Sequence, residues 1–364
     1  MTERDALIAL NGIEELSNRR ILRLREVFGS AAAVWRASEA ELRSRGGLSS
    51  AAAIALKAFS WEKFLENEYN VINNNTIIIT TCDDIYPEQL REISDAPVVL
   101  YVYGAGIADL GPAIGIVGSR QASVYGRNTA AKMASRLAEH GVSVVSGLAR
   151  GIDTAAHEGC LRAAGRTVAV LGCGLGVNYP RENADLRDRI AEGGAVVSEF
   201  PWHTPPRPYH FPRRNRIVSG LSAGVIVVEA AAKSGALITA DFALEQGRDV
   251  YAVPAMIDHP NAAGTHSLIR QGAQLITSAD DVLDDLGVAT PGRDPRGQAR
   301  RNAASPAGLT EAEGLLFKHI SDQPVHIDDL VRSARIDLPA ATGLLLSMEI
   351  KNLITQLPGK RFKR

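Results

Sequence analysis

Cysteine is scarce in this chain. Only Cys82, Cys160 and Cys173 occur in 364 residues, and no two of them are spaced C-x-x-C. A small, odd, dispersed set excludes a disulfide framework and a cysteine-built zinc site, and fits a reducing compartment. An excess of charge of either sign is also missing, since 40 basic side chains stand against 41 acidic ones and the formal net charge is −1. The body of the protein is therefore not a basic coat for polyanions, and any polyanion site has to be a local patch. No apolar run approaches the roughly 20 residues that a bilayer-crossing helix needs. The opening MTERDALIAL has no signal-peptide core, so a cytoplasmic protein without membrane contact is expected. The spaced G-x-G-x-x-G fingerprint is absent from the first strand–turn–helix stretch, and neither a cofactor nor a metal is expected.

What is present is the composition of a soluble globular protein, 45% hydrophobic and 22% charged, long enough for two or three domains. The stretch Ala113 to His157 organises the rest. An apolar run, Ala113 to Val117, stops at Gly118-Ser119-Arg120. A helical pattern follows over Gly126 to His140, and a second apolar run, Val142 to Val145, ends at Ser146-Gly147. Strand, glycine turn, helix, strand is the βαβ unit of a parallel sheet, and loops at the carboxyl ends of such strands are where α/β sheets hold ligands. Gly118 and Gly147 permit close backbone approach, Ser119 and Ser146 offer hydroxyls, and Arg120 offers a bidentate fork for phosphate.

Residues 1–72 read as a small helical domain, with Leu7, Leu10, Ile13, Leu16, Ile21 and Leu24 at helical spacing. Packing or partner binding is its expected role. Asn73-Asn74-Asn75 marks a junction to an α/β core over 73–287, with candidate strands at Thr76–Thr80, Val98–Tyr103, Ile114–Val117, Val142–Val145, Thr167–Leu171, Ala195–Ser198, Gly224–Val228, Asp249–Val253 and Gln274–Ile276. Near-continuous apolar strands imply burial on both faces, hence a mostly parallel sheet whose strand order is not readable. A polar, arginine-rich linker is expected over 288–306. Three helical patterns and a short β pair over 307–364 make a winged helix, whose third helix, LPAATGLLLSMEIK, carries no arginine. That helix is a poor major-groove reader, which leaves protein docking and DNA contact both open.

Several strands end in glycine-rich loops, Gly147 to Gly151 and Gly172 to Gly176 among them, and Ser234-Gly235 opens a further helix. In a parallel sheet these ends share one edge, so Gly118, Gly147, Gly174 and Gly235 can converge on one anion-binding rim. Two cationic clusters join them. One is Tyr179-Pro180-Arg181-Glu182-Asn183, and the other is Tyr209-His210-Phe211-Pro212-Arg213-Arg214-Asn215-Arg216. Arginines beside aromatic rings suit a phosphate-and-base surface; the alternative is a solvated helix start with Phe211 tucked into the core. Asp153 and His157 invite a general-base reading, but one helical turn apart at a helix start they fit capping and packing better, with Asp153 as N-cap. No catalytic set is expected.

The segments GIVGSRQASVYG, VVSGLARGIDTAAHEGCL, TVAVLGCGLGVNYPREN, VVSEFP and HFPRRNRIVSGLSAGVIVVEAAAKSGALITADFALEQGRDVYAVP occur in that order between Tyr86 and Leu286. Together they resemble the DprA/Smf DNA-processing proteins of bacteria. The resemblance implies an extended Rossmann-like core between an N-terminal SAM-like helical domain and a C-terminal winged helix. It also implies a non-catalytic, homodimeric binder of single-stranded DNA that protects incoming DNA in natural transformation and loads the recombinase RecA. By motif position, Arg120 and Arg181 fall where the family contacts DNA, and Arg214-Asn215-Arg216 with Ser234-Gly235 line the same implied groove. Ala255 and Gly176 depart from the family pattern, standing where Gly and Asp are usual. The alternative is an enzyme on a related fold, a nucleoside-monophosphate phosphoribohydrolase, for which Arg216 and Glu229 remain as a residual pair in KSGALITADFALEQ-type surroundings without the doubled-glycine loop.

Overall fold

The computed structural model describes residues 1–72, 75–288, 310–320, 325–334, 336–351, 353–357 and 360–363. Apart from Val288, the expected linker lies outside the described residues, as do Asn73 and Asn74 of the expected junction.

Short runs rich in valine and isoleucine, most of them cut off by Gly, Ser or Thr, become the strands of one sheet. They are β1 (Thr76–Thr80), β2 (Val99–Gly104), β3 (Ala113–Val117), β4 (Ser143–Ser146), β5 (Thr167–Val170), β6 (Ala195–Ser198), β7 (Gly224–Val227), β8 (Asp249–Ala252) and β9 (Gln274–Leu275). Each strand expected from the sequence forms, with its ends moved by at most one residue. The order is β1-β2-β6-β5-β4-β3-β7-β8-β9. From β6 to β9 every neighbour is parallel, whereas β2 runs antiparallel to both β1 and β6. Gly115 lies opposite Val145 on one side and Val225 on the other.

Alternation along the central strands sends side chains to two covered faces. Ile114, Ile116, Val144 and Ile226 pack with the helices Val124–Glu139 and Ile152–Arg162. Val145, Val168, Val225 and Val227 pack with the helices His210–Gly220 and Gly235–Glu245. Burial on both faces is why these strands read as unbroken apolar runs. The N-terminal helices are started by Ser or Thr side chains that accept first-turn amides, at Thr2, Ser17, Ser30, Ser38 and Ser49. Their Leu7, Leu10, Leu24 and Leu56 share one hydrophobic cluster with Val99, Tyr101, Ala169 and Val196 of the sheet. Helical layer and sheet thus form a single compact unit, Met1–Thr290.

The second unit, Pro291–Arg364, contains the helices Glu311–Phe317, Ile327–Ala334 and Leu338–Ile350. Its small sheet has the order β10-β12-β11, from β10 (Val325–His326), β11 (Thr355–Leu357) and β12 (Arg361–Lys363). Leu316, Phe317, Leu330, Leu345, Met348 and Phe362 make its core. This is a winged helix, and its third helix turns Leu338 and Leu346 to solvent.

Candidate nucleic-acid interface

Chain direction sets the site. From β3 the chain winds outward through β4 and β5 to β6, and then returns to place β7 on the other side of β3. The loops leaving β3 and β7 therefore diverge, and a crevice opens between them at the carboxyl edge, where α/β sheets bind ligands. A groove of about 720 Å³ lies there, lined by Gly118-Ser119-Arg120 after β3, Ala149 and Asp153 after β4, and Ser234-Gly235 after β7. Phe211, Arg214 and Asn215 of the His210–Gly220 helix form its other wall. A small recess of about 60 Å³ continues it under Tyr179 and Pro180, adding Gly147, Arg150 and Gly172.

The loops are fixed by hydrogen bonds that reach across strands. Ser119 N–H donates to the Glu229 carbonyl at 2.8 Å. The Glu229 carboxylate, 1% exposed, accepts from Ser123 N–H at 3.0 Å, from the Ser123 hydroxyl and from Asn261 Nδ2 at 3.3 Å. The loops after β3 and β8 are thus both tied to Glu229, the residue that follows β7. Gly151, at φ 81, turns the chain into the Ile152–Arg162 helix in the left-handed region that only glycine occupies without strain.

Charge is graded from the floor outward. Arg214 is fully buried and donates to the Gly147 carbonyl at 2.5 Å and to the Val170 carbonyl. Burial brings it down to about 10, against the pull of Asp153, so it stays cationic at neutral pH. Asp153 accepts from Gly147 N–H at 3.1 Å and Ala149 N–H at 3.3 Å. Burial pushes its carboxyl up to about 6, opposed chiefly by Arg214. Arg120 is exposed at the lip, its guanidinium 5.0 Å from the centre of the Phe211 ring, which lies 5.6 Å from that of Tyr179. Arg150 pairs with Glu182 at the recess. The result is a cationic, aromatic-edged trough with a fixed guanidinium at its base.

Of the residues singled out from the sequence, Gly118, Ser119, Arg120, Gly147, Arg214, Asn215, Ser234 and Gly235 come together around this groove and its recess. Arg181 is exposed in the turn after Pro180, beside the recess. Five readings need correction. Arg213 and Arg216 do not line the groove; they sit on the helix face away from Arg214, and both pair with Glu199, at 3.2 and 2.7 Å. Gly174 is held under the Trp202 loop, its N–H donating to the Thr204 carbonyl at 2.9 Å. Asn183 is buried, donating to the Leu148 carbonyl and the Thr154 hydroxyl at 2.9 Å. The Ser146 hydroxyl is spent on the Ile116 carbonyl at 2.6 Å. Asp153 does not cap its own helix but holds the preceding loop.

The residual enzyme pair is not formed either. Arg216 is engaged by Glu199 and by Asp95 at 2.8 Å, while Glu229 is consumed by the rim loops. His157 is buried with Nδ1 2.7 Å from the Thr167 hydroxyl. Because that hydroxyl donates to the Val144 carbonyl at 2.8 Å, Nδ1 carries the proton, and the ring packs rather than acts as a base. No cluster of potential metal ligands occurs among the described residues. Tyr179, named with its cationic cluster, does edge the recess, whereas Arg150 and Asn261 were not singled out and Glu229 was weighed only as half of an enzyme pair. Arg150 sits within a loop already singled out; nothing local marks Glu229 or Asn261 as parts of the rim.

Residues 77–287 match the family described as DNA recombination-mediator protein A, and residues 300–360 match the DprA winged helix domain. The chain is 41% identical over 288 residues to Protein Smf of Escherichia coli, covering 78% of this chain and 76% of that protein. It is 46% identical over 213 residues to the DNA processing protein DprA of Bacillus subtilis, covering 58% and 71%. The X-ray structure of DNA processing protein A from Streptococcus pneumoniae superposes with a TM-score of 0.68 at 37% identity, covering 78% of this chain and 98% of that one. DNA processing protein A from Helicobacter pylori, whose structure concerns its single-stranded DNA binding mode, superposes with a TM-score of 0.53 at 28% identity, covering 58% and 95%. With the sheet, the edge groove and the winged helix all in place, the chain belongs to the DNA recombination-mediator protein A family, DprA/Smf.

Proposed function

We propose that the edge groove binds single-stranded DNA without chemistry, and that the chain acts in the cytoplasm as a recombination mediator. It protects incoming DNA during natural transformation and, as a homodimer, passes it to RecA. The observation that carries this reading is the row Arg120, Phe211 and Tyr179 above the buried Arg214. Guanidinium groups meet backbone phosphates and ring faces meet unstacked bases, a combination that suits a flexible single strand and is sequence-tolerant. The related Helicobacter pylori protein, with its single-stranded DNA binding mode, supports the same assignment. A dimer would add a second groove to a long strand and raise apparent affinity through effective concentration.

The test is a paired titration of single- and double-stranded oligonucleotides with wild type and Arg120→Ala, repeated at rising salt. Tight, salt-dependent binding of the single strand, weakened by the substitution, is the expected result. Equal affinity for duplex, or binding indifferent to salt and to Arg120, would refute the reading. RecA loading is tested by the rate of filament formation on DNA blocked with a single-strand-binding protein, with and without this chain. Light scattering across a concentration series tests the dimer.

A further inference from the structure

Ahead of Phe211 the groove wall continues into a stiff strap. Pro205, Pro206 and Pro208 surround Arg207, and each proline fixes its own φ. The strap is tied down at its base, where Gly176 N–H donates to the Trp202 carbonyl and Gly174 N–H to the Thr204 carbonyl, both at 2.9 Å. Pro208 lines the groove together with Phe211 and Pro212. Its two chain neighbours, Arg207 and Tyr209, are therefore held at the margin of the groove.

Tyr209 is 52% exposed. Its ring stands edge-on to His210 with centroids 4.6 Å apart, and His210 stacks on Phe200 at 4.2 Å. The ring is thus braced on one side and open to solvent on the other. Arg207 Nη1 donates to the Tyr209 hydroxyl at 2.6 Å, with the guanidinium 5.9 Å from the ring centre. Cation and phenol share one anion. The Glu14 carboxylate, in the turn after the first N-terminal helix (Glu3–Asn11), accepts from Arg207 Nη1 and, at 3.0 Å, from the Tyr209 hydroxyl. The phenol, and after it the guanidinium, hold the Glu14 carboxyl below its usual range, so the pair already favours an anion. The Glu14 side chain is 68% exposed. An ion pair so open to water is weak, and a phosphodiester oxygen offers the same acceptor.

We propose that Arg207 and Tyr209 form a further subsite for the single strand, beside the groove, in which Glu14 stands in for a backbone phosphate until the strand displaces it. Arg207 then takes the phosphate, and the Tyr209 ring stacks an adjoining base. With Glu14 seated, one carboxylate balances one guanidinium, so the subsite gains its charge only when that carboxylate leaves. The subsite rests on the reading of the groove as a single-strand track and extends it onto the strap and the N-terminal layer.

The experiment is an anisotropy titration of the full chain with a labelled oligothymidylate at several salt concentrations. The proteins are wild type, Arg120→Ala, Tyr209→Ala, Arg207→Ala, Glu14→Gln, the double variant of the last two, and Glu15→Gln. None of these side chains is buried, so the fold is kept. Glu14→Gln is expected to bind about threefold tighter than wild type, with a slope of log K against log salt steeper by up to roughly 0.7. Adding Arg207→Ala removes that gain, and Arg207→Ala costs less with Glu14 present than with it replaced. Tyr209→Ala should weaken binding about fivefold or more at an unchanged slope. Glu15→Gln makes the same change of charge one residue along, where no bond to Arg207 or Tyr209 is made, and should bind as wild type. Equal gains in Glu14→Gln and Glu15→Gln, or a gain that survives Arg207→Ala, would mean a general charge effect and overturn the subsite. So would unchanged binding in Glu14→Gln, Arg207→Ala and Tyr209→Ala while Arg120→Ala is weakened. Binding by Arg120→Ala as tight as wild type refutes the groove reading itself, and the subsite with it.

Discussion

Asp153 and Arg214 hold Gly147 between them. The carboxylate accepts from the Gly147 N–H at 3.1 Å, and the guanidinium donates to the Gly147 carbonyl at 2.5 Å. The glycine is necessary, because the guanidinium of Arg214 occupies the place a Cβ would take. One loop of the groove is therefore set by a buried pair of opposite charges, and its electrostatics depend on the protonation of Asp153. With that carboxyl at about 6, acidification from pH 7 to 5 neutralises it and leaves Arg214 and Arg120 uncompensated. Single-stranded DNA affinity is expected to rise over that range by about 1 kcal/mol, roughly fivefold. Asp153→Asn should bind at pH 7 as wild type does at pH 5, with the pH dependence removed. Fluorescence anisotropy at fixed ionic strength checks this, and an unchanged pH profile in the variant contradicts it.

The same carboxyl balances a histidine in the stability of the fold. Asp153 and His157 are one turn apart on one buried helix face, and burial moves them in opposite directions, Asp153 from 3.8 up to about 6 and His157 from 6.5 down to about 3. Between pH 6 and 4 the folded state holds a proton on Asp153 that the unfolded chain has released, which favours folding as pH falls. Over the same window the unfolded chain protonates His157 while the folded state does not, which disfavours folding as pH falls. In wild type the two slopes nearly cancel. In Asp153→Asn only the histidine slope remains, so between pH 6 and 4 the variant should lose about 2 kcal/mol relative to wild type. Urea midpoints at the two pH values measure it.

Much of this was legible in the sequence, for a local reason. β3, β4, β5 and β6 are buried on both faces, so each reads as an apolar run that a glycine or serine soon ends, and the loops that follow are where the groove and its recess form. What was not legible is long-range. Arg213, Arg214 and Arg216 look alike in sequence, but on a helix their spacing points them in different directions. Only the fold supplies Glu199 and Asp95 to collect two of them. Gly174 and Asn183 looked like rim residues because neighbours in their loops are; the Trp202 loop and the Leu148 carbonyl, remote in sequence, draw them inward. Glu229 shows the converse. A lone acid after a strand carries no signal, yet it ties Ser123, Asn261 and the Ser119 loop together.

Phe211 and Arg120 touch each other, but they should fail differently. Removing the ring takes away a stacking surface and leaves the charges in place. Phe211→Ala is expected to weaken single-stranded DNA binding by about 1–3 kcal/mol with the salt dependence unchanged. Arg120→Ala should instead lower the slope of log K against log salt by roughly 0.7, the value for one phosphate contact on a single strand. Titrations at four salt concentrations separate the two. Parallel loss of slope in both variants would mean that the ring serves only to hold Arg120 in position.

The C-terminal unit should be dispensable for this binding. Every residue lining the groove and its recess lies within Met1–Thr290, so a chain ending at Gly287 keeps the whole trough. The winged helix offers little to a phosphate backbone through its third helix, whose exposed positions include Leu338, Thr342 and Leu346. The lysine that follows it, Lys351, is held 2.8 Å from Glu313, and that contact brings the Glu313 carboxyl down to about 2. A cation committed to so strong an acid gains little from exchanging it for a solvated phosphate. The truncated chain should bind single-stranded DNA within about threefold of the full chain and with the same salt slope, one phosphate contact being worth a slope of roughly 0.7. A larger loss accompanied by a smaller slope would place phosphate contacts in the C-terminal unit.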